Sequence, residues 1–228
     1  MASDLLAELT AHFNARHLYP TRSWLQAFLS STRPNTPLPA LKQTALFRLL
    51  ATDLTVSFEQ PLHTVFPQDI LTSASQSRYL AGPVLCQLLD VEDIGRSRWS
   101  QVEAIESQER GEKTKGREIV RVVLGEEEQQ QLAEKSKGPF KLLLQDANGL
   151  RVYALDLSGK CGLDTNSPMG VKIVLRDSDV RRGVVMLEPG RVQVLGGKIE
   201  PLDKEWKRSR KDRLMRTAAP NADNANRT

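Results

Sequence analysis

The stretch Val171–Glu200, VKIVLRDSDVRRGVVMLEPGRVQVLGGKIE, decides the fold. It holds three short runs rich in β-branched residues, each closed by turn residues. Val171, Ile173 and Leu175 alternate with Lys172, Val174 and Arg176. Val184, Val185, Met186 and Leu187 run into Glu188-Pro189-Gly190, and Val192, Val194 and Ile199 flank Gly196-Gly197. β-branched side chains suit a pleated, half-buried surface. Gly and Pro close each run because a reversing chain needs backbone angles that other residues resist. The pattern predicts the end of a small, all-β, meander-like barrel. No residue in it has the character of a catalytic group, so the chain reads as a scaffold that binds something.

The 228 residues suit one large domain or two small ones, and 39% hydrophobic with 26% charged residues is an ordinary soluble balance. No apolar run approaches the roughly 20 residues that cross a bilayer, and no membrane association is expected. The N-terminal MASDLLAELTAHF has no basic segment of the kind that opens a secretory signal. Cys86 and Cys161, far apart and without an export signal, are expected as two reduced thiols. Charge is uneven along the chain. Residues 1–78 carry 6 basic and 5 acidic side chains, residues 79–197 carry 17 and 18, and residues 198–228 carry 9 and 5. The excess of +4 therefore belongs to the tail, and the pI of 9.1 does not describe a basic face spread over the protein.

Working outward, the first 54 residues read as three short helices. Leu5, Leu9 and Phe13 form one apolar stripe, with Ser3 as a cap. Ser23 precedes a second stripe of Trp24, Leu25, Phe28 and Leu29. Thr36 with Pro37 is expected to cap a third, Leu38, Leu41, Ala45, Leu46, Leu49 and Leu50. Helices this short are marginal alone and should pack as a bundle. Residues 55–81 read as irregular. Val84, Leu85, Leu88, Leu89 and Val91 make a first strand reaching about Ile94. FKLLLQDANGLRVYALDL (140–157) makes a hairpin, with Asn148-Gly149 supplying positive φ at its turn. With the three runs above, that is at least five strands. Residues 107–138 are left as a long insertion with 7 basic and 7 acidic side chains around an apolar island, Ile119, Val120, Arg121, Val122, Val123 and Leu124. A loop of this length in a compact domain is functional or disordered.

Three segments, LAGPVLCQLLDVEDIGRSRWSQVEAI (80–105), FKLLLQDANGLRVYAL and RRGVVMLEPGRVQVLGGKIE (181–200), resemble the RecQ-mediated genome instability protein 1 family in its N-terminal region. The resemblance is close over 80–105 and 139–201 and extends in order and length over 1–79. It implies an α+β architecture: a three-helix bundle and linker (1–79) and a five-stranded OB-fold β-barrel (80–201) with its insertion between the first two strands (107–138); the residues themselves add a basic helix with a disordered tail (202–228). It implies no enzyme and no cofactor. The expected partners are a type IA topoisomerase III and a RecQ-type helicase, with double Holliday junction dissolution as the shared work, the nucleus as location, and DNA contact weak or indirect. In the family the insertion reaches the topoisomerase gate and modulates its opening. Animal members are much longer, so this chain resembles a short, fungal-type member or a fragment.

Catalytic signals are poor. His12 and His17 are five residues apart, not the four that would align two ligands on one helix face, and the cysteines lack metal-site spacing. Asp90, Glu92 and Asp93 read as a polar rim at a strand end. Gly196-Gly197-Lys198 lacks the earlier glycine of a phosphate loop, because Val192 stands in its place. An OB-fold that stacks bases needs aromatics on its second and third strands. Only Phe140 and Tyr153 are offered there, beside Lys141 and Arg151, while Leu142, Leu143 and Leu144 read as core. Protein contact is the favoured use of the barrel, and single-stranded DNA binding is the alternative. Residues 204–216, KEWKRSRKDRLMR, predict a helix. In it Trp206 packs on the barrel, and Lys207, Arg208, Arg210 and Lys211 are either solvated or a handle on DNA phosphates; a nuclear import signal could overlap them. Trp99 is read at a strand exit, packed on the rim or exposed as a binding hot spot. Arg181 and Arg182 are a solvated turn or part of a partner face.

Overall fold

The structure is a computed structural model that describes residues 2–33, 35–72, 76–109 and 137–218. The island Ile119–Leu124, and nearly all of the insertion expected at 107–138, lie outside the described residues.

Four helices open the chain: α1 (Ala2–Asn14), α2 (Arg22–Ser30), α3 (Leu38–Leu50) and the single turn α4 (Leu54–Ser57). The predicted stripes pack together, with Leu9, Phe13, Leu25, Phe28, Leu41, Ala45 and Leu49 in one core. The caps differ from expectation. Ser3 lies inside α1. Thr21 caps α2, its hydroxyl oxygen accepting from the Trp24 N–H at 3.2 Å. Pro37 itself occupies the cap position of α3, and Pro39 is its first-turn proline. Thr36 cannot cap from one residue further out, and its hydroxyl donates to the Arg33 carbonyl instead.

Eight strands follow: β1 (Ser77–Leu80), β2 (Val84–Asp93), β3 (Phe140–Asp146), β4 (Arg151–Asp156), β5 (Lys172–Leu175), β6 (Ser178–Arg181), β7 (Val184–Leu187) and β8 (Val192–Gly196). Their order in the sheet is β1-β6-β7-β4-β3-β2-β5-β8. β5 and β6 stand near opposite ends of that order, yet only Arg176 and Asp177 separate them in sequence, with Asp177 at φ 48°. The chain itself thus joins the two ends. The pairings run β2 to β3, β3 to β4, β4 to β7 (parallel), β7 to β6, and back from β5 to β2. Five of the runs read from sequence, β2, β3, β4, β5 and β7, are members of this ring, in which β5 and the unforeseen β6 form one bent strand; the sixth run, β8, lies outside it on the edge of β5. The additional strand β1 lies in the stretch read as irregular and spans the boundary drawn at residues 79 and 80. The hairpin turn needs a single positive φ, at Gly149 (85°), rather than two.

Leu88 and Val91 both face the barrel core although they are three residues apart. Strict alternation would put them on opposite faces. A register shift between Leu88 and Asp90 inserts Leu89 as an extra residue and restores the phase. β5 corrects a second expectation. All four of its residues are buried, not every second one. Ile173 and Leu175 point into the barrel, while Val174 lies with Leu85 under the helical bundle.

Two further helices close the opposite flank: α5 (Arg98–Glu109) and α6 (Glu200–Ala218). α6 fulfils the expected tail helix, and Trp206 joins the barrel core. α5 was not legible. Its apolar pattern is thin, with Val102 buried and Ile105 partly covered, and it is also held by the buried Gln101 amide, which donates to the Asp93 carbonyl at 2.8 Å and to the Arg96 carbonyl at 3.2 Å.

Candidate functional site

Register places side chains across the outside of the barrel in two rows. One runs Asp90, Leu143, Tyr153, Val184 and Arg181 over β2, β3, β4, β7 and β6. The next runs Glu92, Lys141, Leu155, Met186 and Asp179. The residues between them, Leu142, Leu144, Val152, Ala154, Val185 and Leu187, are buried in the barrel. Leu143, Leu155, Val184 and Met186 are only partly covered, and Tyr153 is 49% exposed. These five make one apolar face on β3, β4 and β7. Leu143 therefore corrects the reading of Leu142–Leu144 as core. Alternation along the strand was the signal that would have singled it out. One step beyond the rows, Leu157 at the end of β4 is 62% exposed and Ile94 at the end of β2 is 44% exposed. Both stand beside Pro139, where the chain returns from the insertion, and the Ile94 N–H donates to the Pro139 carbonyl at 2.9 Å.

Two other parts of the outer wall are occupied. The bundle covers Leu85 and Val174, and α5 with α6 covers the β2 end of both rows. Asp90 accepts from the Trp206 indole N–H at 2.5 Å and from Arg213 at 3.1 Å, and Glu92 pairs with Arg98 at 3.0 Å. The buried Asp93 carboxylate accepts from the Gly95 N–H at 3.0 Å. The three carboxylates expected as a solvated rim are clasps, two for the flanking helices and one for the turn leading into α5. The open apolar face is bounded on the far side by Arg181, paired with Asp179 at 3.7 Å. Arg182 lies in the adjoining turn at φ 49°.

The face is poor at stacking bases. Phe140 is 1% exposed and belongs to the barrel core, so only Tyr153 of the two aromatics faces out. Its ring already carries the Lys141 ammonium 4.4 Å from the centroid. Trp99 is in the first turn of α5, not at a strand exit, and is 59% exposed. The four tail cations all have partners within the chain. Lys207 pairs with Asp203 at 2.8 Å, Arg208 with Glu205 at 2.6 Å and Lys211 with Glu106 at 3.1 Å. Arg210 lies 5.0 Å from the centre of the Trp206 ring, and burial followed by repulsion from Arg213 lowers its pKa.

The joint between bundle and barrel is polar and buried. Gln87 accepts from the Leu54 N–H at 3.1 Å and donates to Asp53 and Gln145, each at 3.1 Å. Burial pushes the Asp53 carboxyl up, but hydrogen bonds from Thr55 and Gln87 outweigh it and hold the group below its usual value. Lys172 donates to the Gly170 carbonyl at 2.7 Å, and burial lowers its pKa to about 8 against the upward pull of Asp53. Both cysteines are buried as free thiols; burial raises Cys86, and burial followed by Asp156 raises Cys161 to about 12. His12 lies in the groove between α1 and α3, its pKa lowered by burial, then by Arg16 and Lys42. No described helix is long and apolar enough to cross a membrane.

Comparison with known proteins agrees with this geometry. Residues 66–210 match the family model for the RMI1 N-terminal OB-fold domain, and residues 13–57 match that for the RMI1 N-terminal helical domain. The chain is 28% identical over 200 residues to the RecQ-mediated genome instability protein 1 of Schizosaccharomyces pombe, a span of 80% of this chain and 83% of that protein. It is 37% identical over 68 residues to the protein of the same name from Oryza sativa subsp. japonica, covering 29% of this chain and 8% of the rice protein. With its ring of strands, its leading bundle and both family models matched in order, this chain belongs to the RMI1 N-terminal domain family.

Proposed function

We propose that this chain is a non-catalytic accessory subunit in RecQ-linked genome stability. It binds topoisomerase III and, with a RecQ-type helicase, promotes decatenation and the dissolution of double Holliday junctions in the nucleus. The link to RecQ is carried by the name of its relatives. The single observation that supports a protein partner is the open apolar face of Leu143, Tyr153, Leu155, Val184 and Met186 on the barrel. A contiguous apolar patch on a rigid sheet is the usual substrate for protein docking.

The accessory role consists in biasing the topoisomerase gate. A ligand shifts an equilibrium only by its differential affinity for the two states. The subunit must therefore hold one part of the topoisomerase firmly and touch another that moves. The apolar face serves as the fixed contact, and the insertion, which leaves from the end of α5 and re-enters the barrel at Pro139 beside Ile94 and Leu157, serves as the arm. The second reading, single-stranded DNA binding, is favoured only by Tyr153 with Lys141, and one stacking platform is worth about 1–3 kcal/mol.

Co-purification with topoisomerase III tests the proposal. The parent chain should elute with it in a stoichiometric complex, and the double variant Leu155→Asp, Met186→Asp should elute alone while melting within a few degrees of the parent. A complex that survives both substitutions would remove this face from the interface. Failure of the parent itself to bind would remove the function.

A further inference from the structure

β8 ends the sheet. It pairs with β5 along one edge, and no described strand pairs with the other. The hydrogen-bond phase shows which groups that free edge presents. The Arg176 N–H donates to the Arg191 carbonyl at 2.9 Å, so residues 176 and 191 are a hydrogen-bonded pair. In an antiparallel ladder such pairs alternate with non-bonded ones. Val174 and Gln193 are the next bonded pair, and Leu175 with Val192 and Ile173 with Val194 are non-bonded pairs. The backbone N–H and C=O groups of Val192 and Val194 therefore point away from β5. Among the described residues, no strand pairs along that edge and no turn or loop backbone bond reaches these four groups.

The edge strand is short and bulged at Leu195, but no charge or proline blunts it. Exposed edges are commonly blunted by an inserted charge or a proline. Val192–Gly196, VQVLG, contains neither. Val194 is 39% exposed, and the space beside Gly196 is open. Leu195 anchors the strand to the helical bundle and Val192 packs against the barrel core, so the edge is a firm template rather than a loose loop.

We infer that β8 is a strand-addition site, which takes an extended, acid-bearing segment of a partner protein as a ninth strand. Two donors and two acceptors at a spacing of two residues are what the backbone of an added strand satisfies. The charges argue for a foreign strand over a second copy. Residues 190–199 hold two cations, Arg191 and Lys198, and no carboxylate. Both remain about two-fifths exposed in spite of their intrachain pairs, at 42% and 41%. A second copy would bring Glu188 and Glu200 along with its two cations, each already paired, whereas carboxylates at the ends of an added strand would meet the exposed sides of Arg191 and Lys198 across the seam. The site stands apart from the open face of β3, β4 and β7, and it does not depend on the topoisomerase reading.

The test uses the whole chain and a fluorescein-labelled peptide, Asp-Val-Thr-Val-Thr-Val-Asp, read by fluorescence anisotropy. Two control peptides are used. One is N-methylated at alternate amides, in the two possible phases, so that it cannot pair along one edge. The other has lysine at both ends. The plain peptide should bind saturably, one N-methylated phase should bind at least about tenfold more weakly, and the lysine-ended peptide should also bind more weakly. Val194→Pro removes an outward N–H without touching the bonds to β5, and it should weaken binding by a similar factor. The N-methylated peptides keep the test decisive if that variant does not fold. No binding of the plain peptide up to about 1 mM, or equal binding of both N-methylated phases, overturns the site. Self-association of the chain that Val194→Pro abolishes would give the edge to a second copy and overturn the assignment to a partner.

Discussion

The indole N–H of Trp206 donates to Oδ1 of Asp90 at 2.5 Å, across 116 residues of sequence, and fastens α6 to the strand that begins the barrel. Asp90 also accepts from Arg213, two turns further along α6. The arrangement lets a strongly charged helix, which has few apolar residues of its own, stay on the barrel. Trp206 supplies the buried area, and Asp90 satisfies the polar tip that would otherwise be stranded.

Replacing Trp206 with Ala should cost about 3–5 kcal/mol, the usual penalty for deleting a large buried aromatic. Urea unfolding followed by circular dichroism checks this. Loss of helix signal at lower urea than loss of sheet signal is expected, because α6 would detach first. A variant as stable as the parent would show that α6 is held by its ion pairs instead.

Asp203 gives an acid-sensitive contribution. Its carboxylate is 1% exposed and accepts from the Met169 N–H at 3.1 Å and from Lys207 at 2.8 Å, with Lys198 at 3.3 Å. Burial pushes its pKa up, but these bonds outweigh burial and hold it below the usual value. A depressed carboxyl stabilises the fold above its unfolded pKa of about 4, and that stability is lost as pH falls through the folded value. Asp203→Asn should lower the urea midpoint at pH 7, and the gap to the parent should close on acidification. A gap that stays constant would contradict the assignment.

Lys172 has the opposite sign. With a folded pKa near 8 against 10.5 for the free group, the unfolded chain holds more protons between those values. The parent should therefore gain stability as pH rises from 8 to 10.5, by at most about 3 kcal/mol from this group. Lys172→Met should flatten that rise. Tm measured at pH 7.5 and pH 10 for both proteins decides it, and parallel curves would assign the rise to other groups.

DNA affinity separates the two readings of the barrel. Lys207, Arg208, Arg210 and Lys211 are already engaged within the chain, so they should give weak, salt-sensitive binding. Changing all four to Ala should lower the log–log salt slope, by roughly 0.7 per lost phosphate contact on single strands. Tyr153→Ala should change it little. If Tyr153 mattered more than the four cations, single-stranded DNA binding would move ahead of partner docking.

The insertion offers a last check. Val120→Asp with Val122→Asp should leave Tm unchanged and abolish stimulation of topoisomerase III, if the island serves the partner. A large fall in Tm would assign the island to the protein's own core, since burying each such side chain is worth roughly 1.5–3 kcal/mol.

Periodicity alone determined the three leading helices and most of the ring strands. An apolar stripe or an alternating run is a local property, and hydrophobic burial acts on it wherever the chain goes. The family was legible for a similar reason, since LEPGRVQVLGGKIE combines strand and turn residues in an order that a barrel does not otherwise require. What depended on distant neighbours was not legible. α5 buries little apolar surface beyond Val102 and depends on Gln101 and its place beside α6. Asp90, Glu92 and Asp93 became clasps only once Trp206, Arg98 and the Gly95 turn met them. Leu143 became surface, and Phe140 core, only when register fixed which side of the pleat each would take. The free edge of β8 was decided last of all. Whether a backbone amide is paired depends on which strand lies beside it, and only the closed ring of strands settles that.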